Sequence, residues 1–406
     1  MRNKTFILVS LFFCVALLMP VFGEGSQEGT PGVTEDTIYI GSTQALSGPV
    51  ASIGKPMAEG MRAFFDHVNK EGGIHGRKID LTVADDQFDP SATTTLTRRL
   101  VERDNVFAMV GSLGSPNTLA VMDYLNGRGV PFVYQGAGAT ELAVPPKEYI
   151  FPFQPNYLLE GNIMTTYMVE NLGHKRLGVL YRAAEDGQNA YESIKESIKM
   201  YDDAEIVEAL SVETGDTDFS TAISRFESAD VDGIMVILFR PQVDQFLEQA
   251  YEFGLTEPTK LLTYANADQT LIDSLGAEVM QNVQSTAWVF ADFNDPTFAP
   301  WKWFAEYKGE EGVMPNAYAV AGMVAAEIFT EAVRRAGPEL TREALVESLE
   351  SMDRWNGYLA LDVTYNEFDP NDTTCRLGKQ NMYVMKVQDG AWYPAGEWIR
   401  YNDPNK

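Results

Sequence analysis

Asn69-Lys70-Glu71-Gly72-Gly73-Ile74-His75-Gly76-Arg77 is the stretch whose reading decides the fold. Two successive glycines and a third at 76 suit a chain reversal that needs positive φ, so this segment stops whatever element precedes it. That element is a helix: Met57, Met61, Phe64, Phe65 and Val68 fall at i, i+4, i+7, i+8 and i+11, one apolar stripe at helical period. Before the helix, residues 37–41 read as a strand followed by the loop Ala45-Leu46-Ser47-Gly48-Pro49. After the turn, Ile79, Leu81 and Val83 alternate as in a second strand, which ends at Asp85-Asp86. The unit is βαβ. The turn itself is expected to bind nothing, and adjacent acids on a strand point to opposite faces, so Asp85 and Asp86 read as structural.

In this order the motifs resemble the solute-binding proteins of branched-chain amino acid ABC transporters, in which Ser-Gly follows the first strand and Asn-x-x-Gly-Gly-Ile-x-Gly closes the first helix. The resemblance implies an α/β fold of two doubly wound, Rossmann-like lobes joined by three crossings, the type I periplasmic binding architecture.

The alternation continues along the chain. Helices are expected over 92–103 and 116–128 and strands over 106–110 and 130–134, which completes one doubly wound lobe. A Pro-rich passage from Pro145-Pro146 through Phe151-Pro152-Phe153-Gln154-Pro155 has neither period and reads as a crossing. A second series follows, with strands over 177–181, 205–210, 231–238 and 261–264 and helices over 160–172, 190–200, 219–228, 243–253 and 270–275. Residues 283–290 read as a strand returning to the first lobe, ahead of helices over 296–307, 317–335 and 341–349 and strands over 358–364 and 382–387. Composition locates only the first crossing; the resemblance puts the others near 285–288 and 359–363. The expected lobes are then 36–154 with 288–360, and 155–287 with 361–406.

Residues 1–23 carry Arg2 and Lys4, an apolar run from Phe6 to Met19 and the small-residue site Val21-Phe22-Gly23, the pattern of a cleaved export signal; 24–35 read as a flexible leader. The protein is therefore expected to be periplasmic or otherwise extracytoplasmic. Phe13 before Cys14 is bulky where a lipid-anchor motif needs a small residue. With Cys14 removed, Cys375 stands alone, so no intrachain disulfide forms and stability must come from core burial. The formal charge is −27, and loss of Arg2 and Lys4 makes it more negative. A nucleic-acid partner would need a basic footprint this chain lacks.

Candidate site residues fall in loops that follow strands, where open α/β sheets bind ligands. Gly111-Ser112-Leu113-Gly114-Ser115-Pro116-Asn117 opens a helix, with Ser115 expected as N-cap and Pro116 as first helical residue. Such a helix start binds anions. Ser115 either caps its own helix or contacts ligand, and the resemblance aligns it with a ligand-binding serine. Gly136 and Gly138 follow the next strand and let the backbone approach a ligand, but with Glu141 as the next residue of the spacing they do not form a dinucleotide fingerprint. The resemblance implies a threonine hydroxyl where Gly138 stands and a carboxylate where Ala265 stands, both for a ligand ammonium; Thr140 is two positions late.

On the second lobe Asp186 reads either as a substitute ammonium partner or as a helix cap. Arg240 reads either as a fork for a second carboxylate or as half of an ion pair. Phe239, Tyr264, Asn266 and Tyr318 complete the candidates, with Tyr134 a further aromatic. His67, His75 and His174 have no metal-ligand spacing, and there is no Gly-x-Ser-x-Gly elbow, so no catalysis, metal or cofactor is expected. The expectation is a binding protein that closes on a small ligand, an organic carboxylate or else an amino acid, and hands it to ABC permease subunits. A sensor signalling to a regulatory partner is the alternative.

Overall fold

The structure is a computed structural model and describes residues 29–402 except 214, 257–260, 290–294 and 296. The expected signal peptide, Cys14 and the start of the leader lie outside the described residues.

The opening unit forms as its sequence dictates. Strand β1 (Thr37–Gln44) and strand β2 (Lys78–Asp85) pair in parallel around helix α1 (Ala51–Lys70), which buries Met57, Met61, Phe64, Phe65 and Val68. The Asn69 side chain clamps the turn to the sheet, its amide donating to the Ile79 carbonyl and its oxygen accepting from the Ile79 N–H, both at 2.8 Å. Arg77 and His75 tie the same turn to the carbonyls of Pro338 and Arg334. The two acids divide as a strand end requires: Asp85 accepts from the loop at Leu46 and Ser47, while buried Asp86 accepts from Thr93 and Asn117.

Helix α2 (Pro90–Glu102), strand β3 (Ala108–Val110), helix α3 (Ser115–Gly127) and strand β4 (Phe132–Val133) follow. Within the Pro-rich passage, Ile150–Phe151 adds a short edge strand, β5, that sequence periodicity misses because it is only two residues long. The first sheet is parallel, in the order β2-β1-β3-β4-β5.

The second sheet is built from β6 (Arg176–Arg182), β7 (Glu205–Val212), β8 (Gly233–Ile237), β9 (Leu261–Thr263), β10 (Gln284–Ala287), β11 (Asn381–Gln388) and β12 (Ala391–Pro394), in the order β12-β11-β10-β9-β8-β6-β7, with β13 (Ile399–Arg400) against β11. Helices α4 (Tyr157–Thr166), α5 (Glu185–Ser197), α6 (Ser220–Ser228), α7 (Gln242–Glu252), α8 (Gln269–Leu275) and α9 (Ala277–Met280) accompany it. The expected strand at 283–290 is thus the last parallel strand of the second sheet, its backbone committed to β9 and β11, and the return to the first lobe comes after it. Helices α10 (Ala299–Lys308), α11 (Ala317–Ala336) and α12 (Arg342–Glu350) pack on the first sheet, sharing one core with α1 and β1.

Residues 358–364 differ from the expected strand. Bridges at Trp355 to Val363 and Thr364 to Gly378 are its only pairings among the described residues. Buried Glu327 accepts the N–H groups of Tyr358, Leu359 and Ala360, and Lys379 donates to the Leu361 carbonyl. Side chains satisfy this backbone, so no ladder is needed. Cys375 is buried and free.

Candidate functional site

A cavity of about 590 Å³ lies between the two sheets. Its wall comes from the loops after β1, β3 and β4 on one side and after β6, β8 and β9 on the other, all carboxyl ends of parallel strands. Gln154 and Trp288, from two of the connecting segments, also reach it. Val50, Ile53, Met57, Phe88 and Leu113 give the first wall an apolar lining, which Tyr134, Trp288 and Tyr318 extend.

Ser115 stands one residue later in its helix than expected. Gly114 is the N-cap, with φ +98, a conformation glycine adopts without strain, and a Cβ there would sit 2.5 Å from the Phe88 ring. Ser115 is therefore the first helical residue, and its hydroxyl caps nothing in α3. It meets the Tyr157 hydroxyl at 3.2 Å. Two hydroxyls thus adjoin the start of α3, where the N–H groups of Ser115 and Asn117 have no intrahelical partner and the dipole is positive.

Tyr157 opens α4, immediately after the first crossing. Its N–H donates to the Gly138 carbonyl, and its ring fills the space a side chain at 138 would need: a Cβ there would lie 2.6 Å from it. The missing hydroxyl at Gly138 is accordingly matched by a phenol arriving from a different element. Gly136 is occupied in the same manner by Met57 and Leu113, so both glycines admit side chains of the wall. Thr140 begins a short 3-10 turn and is not among the lining residues.

On the opposite wall the charged residues arrive paired. Asp186, in the first turn of α5, accepts from Arg182 at 2.7 Å. The Arg182 guanidinium also lies 5.1 Å from the centre of the Phe239 ring. Arg240 donates to Asp244 and, in addition, to Thr270 and Ser274. The hydrogen-bonded Asp244 carboxylate raises the Arg240 pKa further above its ordinary value. Phe239 and Tyr264 meet edge to face at 5.5 Å, and Tyr264 lies 6.2 Å from Tyr157. Burial pushes both tyrosine hydroxyls above their ordinary pKa, and that of Tyr318 up to about 12. Exposed Glu185 and Asp216 stand at the rim.

Nine of the expected residues thus line one cavity: Ser115, Gly114, Gly136, Gly138, Asp186, Phe239, Arg240, Tyr264 and Tyr318. Asn266 does not. It is buried, and its amide donates to the carbonyls of Leu238 and Tyr264, which braces the loop from behind. Sequence reasoning passed over Tyr157 and Trp288, and only the position of each at a crossing could have signalled them.

One further contact spans the cleft. Asp268, between β9 and α8, gives one carboxylate oxygen to Thr270 and the other to the Ala317 N–H, 3.0 Å away at the start of α11 on the opposite side. Trp288 likewise donates to the Tyr134 hydroxyl.

Two α/β layers with a cavity at facing carboxyl ends define a two-lobed solute-binding architecture. The chain belongs to the periplasmic binding protein family, whose sequence model matches residues 37–391. It is similar to the leucine-specific-binding protein of Salmonella typhimurium, 27% identical over 55% of this chain and 60% of that protein, so the chain spans under two thirds of that relative. Among solved structures it resembles a substrate-binding periplasmic protein from Ralstonia solanacearum, with TM-score 0.72 and 26% identity over 89% of this chain and 99% of the other. An ABC transporter substrate-binding protein from Sphaerobacter thermophilus superposes with TM-score 0.78 at 22% identity, over 91% and 99% of the two chains. No helix among the described residues is long and apolar enough to cross a membrane.

Proposed function

We propose that this protein is an extracytoplasmic solute-binding protein that captures a small organic carboxylate between its lobes and delivers it to an ABC permease. The observation that carries the reading is the start of α3, where the hydroxyls of Ser115 and Tyr157 lie 3.2 Å apart beside helix N–H groups and no carboxylate of the first wall competes for them. The chain performs no chemistry on its ligand. Closure is the mechanism: a ligand that touches both walls binds the closed form better and shifts the equilibrium toward it. The Asp268 contact to α11 supports such closure, since it joins elements that pack on different sheets.

An amino acid is the second reading. The likeness to a leucine-specific-binding protein favours it, and Glu185 and Asp216 at the rim could face an ammonium. Against it, Asp186 is already paired with Arg182, and an ammonium buried without a partner is costly. Calorimetry with leucine and with the keto acid derived from it separates the two. The carboxylate reading expects heat from the keto acid; tight leucine binding with no response to the keto acid would overturn it.

A further inference from the structure

A carboxylate at Ser115 occupies one corner of the cavity and leaves most of its apolar lining uncovered. Val50, Ile53, Phe88, Phe239, Trp288 and Tyr318 all line it, and each is only half-buried. Single exposed apolar residues need no explanation, but six gathered in one cleft mark surface that a ligand covers. The space is also large. At about 30 Å³ for each water, 590 Å³ has room for roughly twenty, and a keto acid of leucine size fills about half of it. This volume persists although the lobes already meet, through the Asp268 carboxylate and the Ala317 N–H at 3.0 Å.

Phe88 is held in this wall against its backbone preference. Its φ of +65 lies in the left-handed region, which a bulky side chain rarely adopts. Buried Asp86 fixes that conformation: one carboxylate oxygen accepts the Phe88 N–H at 3.0 Å, and the other accepts from Thr93 and Asn117. The ring lies against Gly114, where a Cβ would stand 2.5 Å from it, next in the chain to Ser115. Strain that persists because the surroundings fix it is a mark of functional positions, and here it places an aromatic ring beside the anion-binding corner.

We propose that the ligand is an aromatic carboxylate and that Phe88 is a specificity-determining residue: the carboxylate sits at Ser115, and the ring system packs on Phe88 and covers the half-buried apolar lining. A short acid held at Ser115 leaves those faces wet, so the hydrophobic gain of covering them goes unused. The body is aromatic because Phe88, Phe239, Trp288 and Tyr318 present rings, and ring pairs gain more than their buried area alone. The inference rests on the carboxylate reading of the site.

Calorimetry on the full chain with naphthylacetate, octanoate and the keto acid derived from leucine tests this. Wild type should bind naphthylacetate at least about tenfold tighter than the keto acid, and tighter than octanoate. Phe88→Gly, whose backbone takes φ +65 without strain, should weaken naphthylacetate about tenfold and shrink its advantage over the keto acid. Phe88→Leu, which keeps an apolar side chain but no ring, should fall between; it carries the same comparison if thermal melting shows that Phe88→Gly does not fold. Octanoate binding as tightly as naphthylacetate overturns the aromatic assignment. A keto acid that binds as tightly as naphthylacetate overturns the large apolar body and leaves the carboxylate reading standing. Equal losses for both acids in the Phe88 variants, or none, overturn the role of Phe88. If none of the three acids binds, the carboxylate reading itself fails and this inference falls with it.

Discussion

The two walls of the cavity meet a ligand in opposite ways. The wall built on the first sheet contributes no charged side chain among the described residues, yet its polar groups stand open: the Ser115 hydroxyl and the amides that begin α3. The wall built on the second sheet carries every charged lining residue, Arg182, Glu185, Asp186, Arg240 and Asp216, and both arginines are already committed to acids one helical turn away. On the function proposed above, charge alone would misidentify the recognition surface. A guanidinium whose fork is filled by Asp244 has little left to offer a ligand, whereas a helix start whose hydroxyl is engaged only by another hydroxyl, that of Tyr157, offers a fixed, preorganised positive potential.

If that asymmetry is correct, the largest loss should come from the uncharged wall. Ser115→Ala removes a hydrogen bond to a charged group and should cost about 1.5–3 kcal/mol of affinity, roughly 10- to 150-fold in Kd by calorimetry with whichever acid binds. Unchanged affinity would mean that the ligand does not reach α3. Asp268→Ala comes next. It removes an anion from the start of α11 and should weaken binding by about 0.3–1 kcal/mol by destabilising the closed form. Small-angle scattering should then require more ligand to reach the compact state, with Asp268→Asn, which keeps one acceptor oxygen but loses the charge, falling between Asp268→Ala and wild type. Identical ligand dependence in Asp268→Ala would deny the contact any part in closure. The smallest effect is expected at Arg240: because its donors serve Asp244, Thr270 and Ser274, Arg240→Gln should change Kd by less than about twofold, a part-exposed ion pair being worth little. A loss as large as that of Ser115→Ala would show that the guanidinium leaves Asp244 for the ligand and would abolish the contrast between the walls.

How much of the site could be read from the sequence follows the same division. Ser115 and the glycines were legible because each sits in a loop directly after a strand, and Gly114 and Ser115 also at a helix start, a local arrangement with a local signature. The Arg240 to Asp244 and Arg182 to Asp186 pairs are also local, at i and i+4, and the choice between ion pair and ligand contact could have been weighted by that spacing alone. Tyr157 was not legible. Its hydroxyl reaches Ser115, forty-two residues away in the chain, only because the first crossing carries α4 back over the loop at Gly138. Asn266 went the other way: its loop faces the cavity, but its buried amide turns to the carbonyls of Leu238 and Tyr264.

The sequence by itself determined the strand and helix alternation that builds the parallel strands of both lobes, the turn at Asn69 to Arg77 and the family, since apolar period, glycine placement and helix-start chemistry act over a few residues. Tertiary structure alone decided that β10 belongs to the second sheet, that residues 358–364 are held by Glu327 and Lys379 instead of a ladder, and that the gap at Gly138 is filled by Tyr157. Each of these depends on which distant group arrives to satisfy a backbone donor or fill a missing side chain. That arrival is fixed by packing across the whole chain, and no local pattern encodes it.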